Sequence, residues 1–342
     1  MKVGFLSIFS MQWRKIPPVA TADLTGQTVV VVGANTGLGF EASKHFARMN
    51  PGKLVLACRN EAKGKAALAK LKAETGCNTA ELRLVDLANF SSVVGFADSF
   101  EKTGERLDIL VANAGMESDQ YRQTPDGWEE VLQVNVLSTA LLCLLLAPRL
   151  ADTGKKHGTR PRLTIVGSGV HYWRDIPERV YGAPSPFEYL NSEEYCHSSK
   201  GYMENYRYFD TKVLSVFFTH SLADLLKDTP VVVDTVHPGY CLSEFRRNYS
   251  GFRAFLDFFM EKLLAWTTEE GSRQIVFAAV GKYSNPDELH GAFIDLHEVV
   301  EASDHVIGDD GKRRRNILWT NLIHQLTKVD GRVREIVREY TH

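Results

Sequence analysis

The stretch Thr28-Val29-Val30-Val31-Val32-Gly33-Ala34-Asn35-Thr36-Gly37-Leu38-Gly39 decides the fold. It opens as an unbroken β-branched run, the pattern of a strand buried on both faces. The run empties into a glycine loop, and helical spacing begins just beyond it. A strand, a glycine loop and a helix in that order offer free backbone N–H groups and the positive end of a helix to an anionic diphosphate. Gly33, Gly37 and Gly39 let the backbone turn tightly and approach a ligand with no Cβ in the way. Their spacing is Gly-x3-Gly-x-Gly, not Gly-x-Gly-x-x-Gly, so the assignment rests on the flanking strand and helix. Asn35, Thr36 and Leu38 complete the candidate cradle.

Further strand-like runs follow at residues 53–57, 81–85, 107–111, 163–166, 231–236 and 292–296. Helical patterns separate them at 41–49, 61–74, 91–100 and 127–150, with another around Tyr208. Strands alternating with helices predict one α/β domain: a doubly wound parallel sheet of about seven strands, covered by helices on both faces. We place that domain at residues 25–342, with a cofactor half at 25–160 and a catalytic and substrate part at 161–342. Residues 1–24 form an N-terminal arm, set off by Pro17-Pro18. The apolar faces of residues 141–146 and 213–226 fit burial against the sheet or against a second copy of the chain.

A net charge of −2 across 342 residues provides no basic field for a nucleic acid. The run Lys312-Arg313-Arg314-Arg315 follows Gly308-Asp309-Asp310-Gly311 and reads as a solvated turn. The five cysteines, Cys58, Cys77, Cys143, Cys196 and Cys241, show no metal-type pairing and read as reduced thiols of a cytoplasmic protein. No run reaches the roughly 20 apolar residues of a membrane span. The short apolar segment Val3-Gly4-Phe5-Leu6-Ser7-Ile8-Phe9 fits docking on the domain or a peripheral membrane contact.

In a sheet of this kind, ligands lie beyond the carboxyl ends of the strands. The second strand ends in Cys58-Arg59-Asn60. An acid there would favour NAD; the guanidinium of Arg59 is instead shaped for a 2′-phosphate, so we expect NADP(H). Asp86-Leu87 closes the third strand and Asn113-Ala114-Gly115 the fourth, where small residues let a flat ring lie close to the backbone. The fifth ends at Ser168. Tyr208 and Lys212 lie four residues apart, about 400° of helix, so the phenol and the ammonium project from nearly the same side. A neighbouring cation favours the phenolate and makes the tyrosine a usable acid and base. Asn135, in the long helix before Ser168, completes a possible polar relay.

In order, Gly33/Gly37/Gly39, Asp86, Asn113-Ala114-Gly115, Asn135, Ser168, Tyr208-x3-Lys212 and Pro238-Gly239 resemble the short-chain dehydrogenase/reductase family, over residues 25–296 or so. That resemblance implies a Rossmann-type fold, and the aromatic residues between Ser168 and Tyr208 suit a lipophilic small-molecule substrate. Gly33 to Gly39, Ala57-Cys58-Arg59 and His237-Pro238-Gly239 are similar to the retinol-dehydrogenase-like branch. Ala22 to Gly26 and the Gly311 to Trp319 region are similar to fungal members that tailor secondary metabolites. The resemblance implies that Tyr208 exchanges a proton with the substrate oxygen, while Lys212 tunes the phenol and holds the nicotinamide ribose. Ser168 would bind the carbonyl oxygen and Asn135 would position a proton-relay water. Ser243 stands where a threonine often contacts the nicotinamide amide. Family members often form dimers or tetramers.

Ala112 replaces the first asparagine of the usual Asn-Asn-Ala-Gly, and Gly167-Ser168-Gly169 replaces a double serine. The largest departure is the 40 residues between Ser168 and Tyr208, with an aromatic insert at 169–207 that holds Tyr172, Trp173, Tyr181, Phe187, Tyr189, Tyr195, Tyr202 and Tyr206. It reads either as a lid lining a lipophilic pocket or as a segment packed on its own domain. A second aromatic stretch spans residues 243–266. We expect NADP(H)-dependent carbonyl–alcohol interconversion on a hydrophobic, aromatic or polyketide-like small molecule; the alternatives are a retinoid- or lipid-type dehydrogenase, acid–base chemistry without net hydride transfer, and nucleotide sensing without turnover.

Overall fold

A computed structural model of the chain describes residues 12–118, 120–198, 206–242, 262, 264–282 and 284–341. The first half alternates strictly: β1 Thr28–Val32, α1 Gly37–Ala47, β2 Lys53–Cys58, α2 Glu61–Thr75, β3 Ala80–Leu84, α3 Phe90–Thr103 and β4 Ile109–Ala112. The long helix α4, Glu130–His157, precedes β5 Arg162–Val166. Then come a 3-10 turn, Gly169–Trp173, and the short helices α5 Glu178–Tyr181, α6 Pro186–Asn191 and α7 Glu193–Ser198. Helix α8 Tyr206–Leu226, β6 Val232–Val236, α9 Thr268–Val280, β7 Phe293–Asp295, β8 Glu298–Val300, α10 Gly308–Val329 and α11 Arg332–Tyr340 complete the described order.

The eight strands form one sheet in the order β3-β2-β1-β4-β5-β6-β7-β8. All neighbours run parallel except β7 and β8. Alternate residues of the central strands feed opposite cores. Val30, Val32, Val55 and Ala57 meet α3, α4 and α8, while Val29, Val31, Leu54 and Leu56 meet α1, α2 and α9. Burial on both faces accounts for the near-continuous Val/Leu runs. Strand β1 lies between β2 and β4, so its carboxyl end is the point where the order of winding reverses and a crevice opens.

The eighth strand is an addition to the sequence reading. It closes an antiparallel hairpin through Leu296 and His297, both at positive φ (50° and 63°). Glycine or asparagine usually signals such a turn, and Leu-His carries neither. The basic run needs a correction. Lys312 to Arg315 belong to the second turn of α10, not to a solvated loop. Asp309 and Asp310 suit the helix N-terminus, and Leu318, Leu322 and Leu326 place one apolar stripe inward. Arg313 and Arg314 reach Glu178, and Arg315 reaches Asp224 at 2.6 Å.

Helices α10 and α11 settle the two packing alternatives. Leu141 to Leu146 are at most 2% exposed, buried in a core that also takes in Leu318, Leu322, Val333 and Ile336 of the same chain. Phe218 of α8 stacks on Trp319 with ring centroids 6.2 Å apart. Most of the described insert aromatics pack inward as well. Tyr181, Phe187 and Tyr195 are buried and Tyr172 and Tyr189 lie against the same core, while Trp173 is exposed at its edge. Tyr202 and the side chain of Tyr206 lie outside the described residues, as do the arm before Gln12, Ser243 and nearly all of the second aromatic stretch. From Gln12 onward the arm docks on the body. Helix α4 is apolar and long enough to cross a membrane, yet it sits almost wholly inside the fold. All five cysteines are buried, and no disulfide links them.

If α10 is an integral wall of the core, Leu322→Ala should cost about 2–5 kcal/mol of unfolding free energy. Urea denaturation followed by circular dichroism measures this, and a change within error would contradict the assignment.

Candidate active site

The glycine loop is clamped to its neighbours. Gly33 N–H donates to Ala57 O at 2.7 Å, and Asn113 Nδ2 bridges Val32 O and Gly33 O at 3.1 and 3.2 Å. Asn113 therefore ties the end of β4 to the loop after β1, across the switch point. A Cβ on Gly39 would lie 2.4 Å from Gly33 O and 2.5 Å from Asn113 Nδ2, so only glycine fits. Gly37 differs: its φ is +61° and a Cβ there would meet nothing within 4 Å, so the loop faces open space at that point. Thr36, the N-cap of α1, makes no side-chain capping bond, and the first turn holds no acid. Those N–H groups and the helix dipole suit a phosphate.

The other expected cofactor residues fall unevenly. Arg59 is exposed at the carboxyl end of β2, two residues beyond the carbonyl that holds Gly33. Asp86 is half-buried and its Oδ1 accepts from Ala88 N–H at 3.0 Å, so the carboxylate also shapes its own turn. The Leu87 side chain goes into the core, which leaves its backbone to face a ligand. Ala114 and Gly115 are half-buried, and a Cβ on Gly115 would come within 3.4 Å of Asn135 Oδ1.

After β6, Pro238 and Gly239 sit beside the cradle. Gly239 has φ +84°, and a Cβ would lie 2.2 Å from the Trp266 ring. Trp266 Nε1 donates to Gln12 O at 2.8 Å, and Gln12 Nε2 donates to Tyr240 O at 3.0 Å. Leu38 packs against Cys241 and Trp266, which joins the first glycine loop to this second one. No local pattern hints at the Gln12 and Trp266 staple, because its members lie 254 residues apart.

The expected catalytic residues Asn135, Tyr208 and Lys212 meet at the first turn of α8, through Thr211 and through backbone carbonyls. Asn135 lies on a π turn, Gln133–Leu137, at the start of α4. Its side chain both accepts from and donates to the Met116 backbone at 2.8 Å, and donates to Thr211 Oγ1 at 3.1 Å. Thr211 in turn donates to Tyr208 O at 2.7 Å. Lys212 Nζ donates to Val166 O at 2.8 Å and lies 5.4 Å from the centre of the half-exposed Tyr208 ring. Ser168 follows Val166 by two residues, so the same strand end carries the serine and receives the ammonium. Burial pushes the Lys212 pKa down to about 8, which leaves the group mainly charged at neutral pH.

Two histidines hold the Ser168 peptide. His171 Nδ1 lies 2.8 Å from Ser168 O, and Gly169 N–H donates to His237 Nδ1 at 3.0 Å. Burial lowers both histidines, His171 to about 4, so both are neutral at physiological pH. With Nδ1 of His171 as donor and that of His237 as acceptor, each ring has a defined tautomer. Ser168 Oγ accepts weakly from Val170 N–H at 3.4 Å.

An open, mostly parallel sheet with a glycine cradle at its switch point is a Rossmann-type fold, and a tyrosine–lysine pair lies by the strand end that bears a serine. A family model for short chain dehydrogenases matches residues 27–166. The short-chain dehydrogenase/reductase ffsI of Aspergillus flavipes is 30% identical over 98% of this chain and 96% of its own length. A short chain dehydrogenase/reductase of Cryptosporiopsis sp. is 32% identical over 96% of this chain and 98% of its own. The chain belongs to the short-chain dehydrogenase/reductase family, a family of oxidoreductases. Among solved structures, an uncharacterized protein of Mycobacterium paratuberculosis aligns with a TM-score of 0.64 and 26% identity over 91% of this chain and 98% of that one. A short chain dehydrogenase of Burkholderia cenocepacia, crystallised with NADP, shares the fold with a TM-score of 0.58 and 19% identity, over 80% and 97% of the two chains.

The buried Lys212 ammonium is held at a cost to stability. Its folded pKa, about 8, lies below the ordinary lysine value, so the unfolded chain binds more protons between the two. Stability therefore rises as pH increases through that window. Lys212→Met should remove the rise and be more stable at neutral pH by about 1–3 kcal/mol, the burial penalty less one hydrogen bond. Urea titrations at neutral and mildly alkaline pH test this. A less stable variant with an unchanged pH slope would refute it.

Proposed function

We propose that this chain is an NADP(H)-dependent oxidoreductase that interconverts a carbonyl and an alcohol on a hydrophobic small molecule, aromatic or polyketide-like in character. The observation that carries the reading is the Lys212 ammonium, buried beside the Tyr208 ring and bonded to the strand end that bears Ser168. A cation beside a phenol favours its charged form, which suits a tyrosine to proton transfer. In the reductive direction Tyr208 gives its proton to the substrate oxygen, and Ser168 Oγ hydrogen-bonds that oxygen as charge develops on it. Asn135 fixes the Thr211 hydroxyl against Tyr208 O, which holds the first turn of α8 in place. A bound nicotinamide supplies or accepts the hydride; the chain orients it and excludes water.

The cradle fits such a cofactor. The uncapped α1 N-terminus with its open Gly37 suits the diphosphate, and Arg59 stands exposed where a 2′-phosphate would lie. The NADP in the Burkholderia cenocepacia structure and the NADPH in that of a Sphingobium yanoikuyae short-chain dehydrogenase agree with this choice. The fungal origin of the similar curated proteins fits a role in tailoring secondary metabolites. The exposed Trp173 ring, 6.3 Å from Phe209, offers an apolar edge close to Tyr208.

An NADPH-oxidation screen over aromatic aldehydes and polyketide-like ketones should reveal turnover. Tyr208→Phe should lower kcat by at least about 100-fold while NADPH binding persists. Full turnover in that variant, or product formation without NADPH consumption, would sink the reading. Arg59→Glu should raise the KM for NADPH about tenfold or more and leave NADH use less affected, since a carboxylate repels the 2′-phosphate. A wild-type preference for NADH would overturn the role of Arg59.

A further inference from the structure

Four positions around Tyr208, residues 207 and 210–212, are each fastened to a different part of the chain. Arg207, 4% exposed, pairs with the fully buried Glu129 (Nε to Oε2, 2.6 Å) and donates to Leu190 O at 2.8 Å. Glu129 is itself held: its carboxylate accepts from Val131 and Leu132 N–H at 2.9 and 2.8 Å. Asp210, 1% exposed, pairs with Arg174 (Oδ1 to Nε, 2.5 Å) and accepts from Tyr195 Oη at 2.9 Å. Arg174 closes the triangle with a bond to Tyr195 Oη at 3.3 Å. Burial, reinforced by Asp210, holds the Tyr195 phenol well above its ordinary pKa, so it stays a donor. Thr211 and Lys212 take Asn135 and Val166 O, as described above. Tyr208 and Phe209 alone of residues 207–212 are half-exposed.

We propose that Asp210 with Arg174, and Arg207 with Glu129, are positioning residues that set the rotation of the first turn of α8 and thereby aim the Tyr208 phenol. The proposal rests on the role given to Tyr208 above. Buried ion pairs add little net stability over apolar side chains of similar volume. They do fix direction, because carboxylate and guanidinium bonds tolerate little misalignment. A tyrosine oxygen stands on the order of 8 Å from its helix axis, so a rotation of about 10° would displace it by about 1.4 Å, and a misplacement of about 1 Å can cost about 100-fold in rate. Arg207 and Asp210 stand about 60° apart on one face of α8, and two directional bonds on that face resist rotation of the turn in either sense. Arg174 and Tyr195 come from the insert between Ser168 and Tyr208, which gives that segment a task within the site: it is the socket of the catalytic helix.

The test compares Asp210→Asn, Arg174→Met, Arg174→Lys, the double variant Arg174→Met/Asp210→Leu and Tyr208→Phe, with naphthaldehyde and NADPH. Folding is checked by circular dichroism and cofactor binding by NADPH fluorescence. Asp210→Asn and Arg174→Met should lower kcat about tenfold or more while the NADPH Kd changes less than about threefold, and Arg174→Lys should recover part of that loss. The double variant leaves no buried charge unpaired, so it should regain thermal stability yet remain slow. Wild-type kcat in the folded double variant would overturn the proposal and leave the pairs a purely structural role. An inactive Tyr208→Phe beside a fully active Asp210→Asn would defeat this proposal alone. A fully active Tyr208→Phe would defeat both it and the reading beneath it.

Discussion

An ammonium taken out of water must find an acceptor, and in this fold Lys212 finds the carbonyl of Val166 at the last position of β5. That one bond registers helix α8 against the sheet. It brings the Tyr208 ring to the strand end that carries Ser168, and fixes the level at which α8 crosses the crevice. Its desolvation cost is met by the rest of the structure. The two-sided core around Val29 to Val32 anchors the sheet, while α10 and α11 close the outer face of α4 and α8. A site that needs a buried charge depends on a body stable enough to keep it there.

Much of the architecture could be read from the chain because burial on both faces of a parallel sheet forces continuous apolar runs. Thr28–Val32 appears in the structure with the ends read from sequence, and the later strands are displaced by one or two residues. Gly33 and Gly39 were legible for a similar reason: at those positions a Cβ would strike backbone or Asn113. The Tyr208-x3-Lys212 spacing gave a shared helix side, which the 5.4 Å separation of ring and ammonium bears out.

What escaped reading depends on burial that local pattern does not encode. Arg207 and Asp210 look like ordinary surface charges on a helix, and only the fold reveals Glu129 and Arg174 waiting for them. Lys312 to Arg315 looked like a turn because Gly308 and Gly311 precede them. Gly308 in fact starts the helix at φ +68°, and Gly311 lies against the Val306 backbone, where a Cβ would come within 2.4 Å. The insert reads two ways, as pocket lining or as core, because aromatics suit ligands and cores equally. Tyr181, meeting His305, and Phe187, whose N–H donates to Asn321 Oδ1, show that the core claimed most of them. The β7–β8 turn was hidden because two residues that rarely take positive φ adopt it.

The fastenings of α8 also have an order in time. Glu129, Asn135, Val166, Arg174 and Tyr195 all precede Tyr208 in the chain. During synthesis from the N-terminus, every one of these partners is thus made before the helix itself emerges. The apolar cover supplied by α10 and α11 is made after all of these, and until it arrives Phe218, Leu145 and their neighbours stay open to water. The nascent protein therefore makes the partners of α8 before its cover, and the interval between the two, when that apolar face waits for α10 and α11, is the one most open to aggregation.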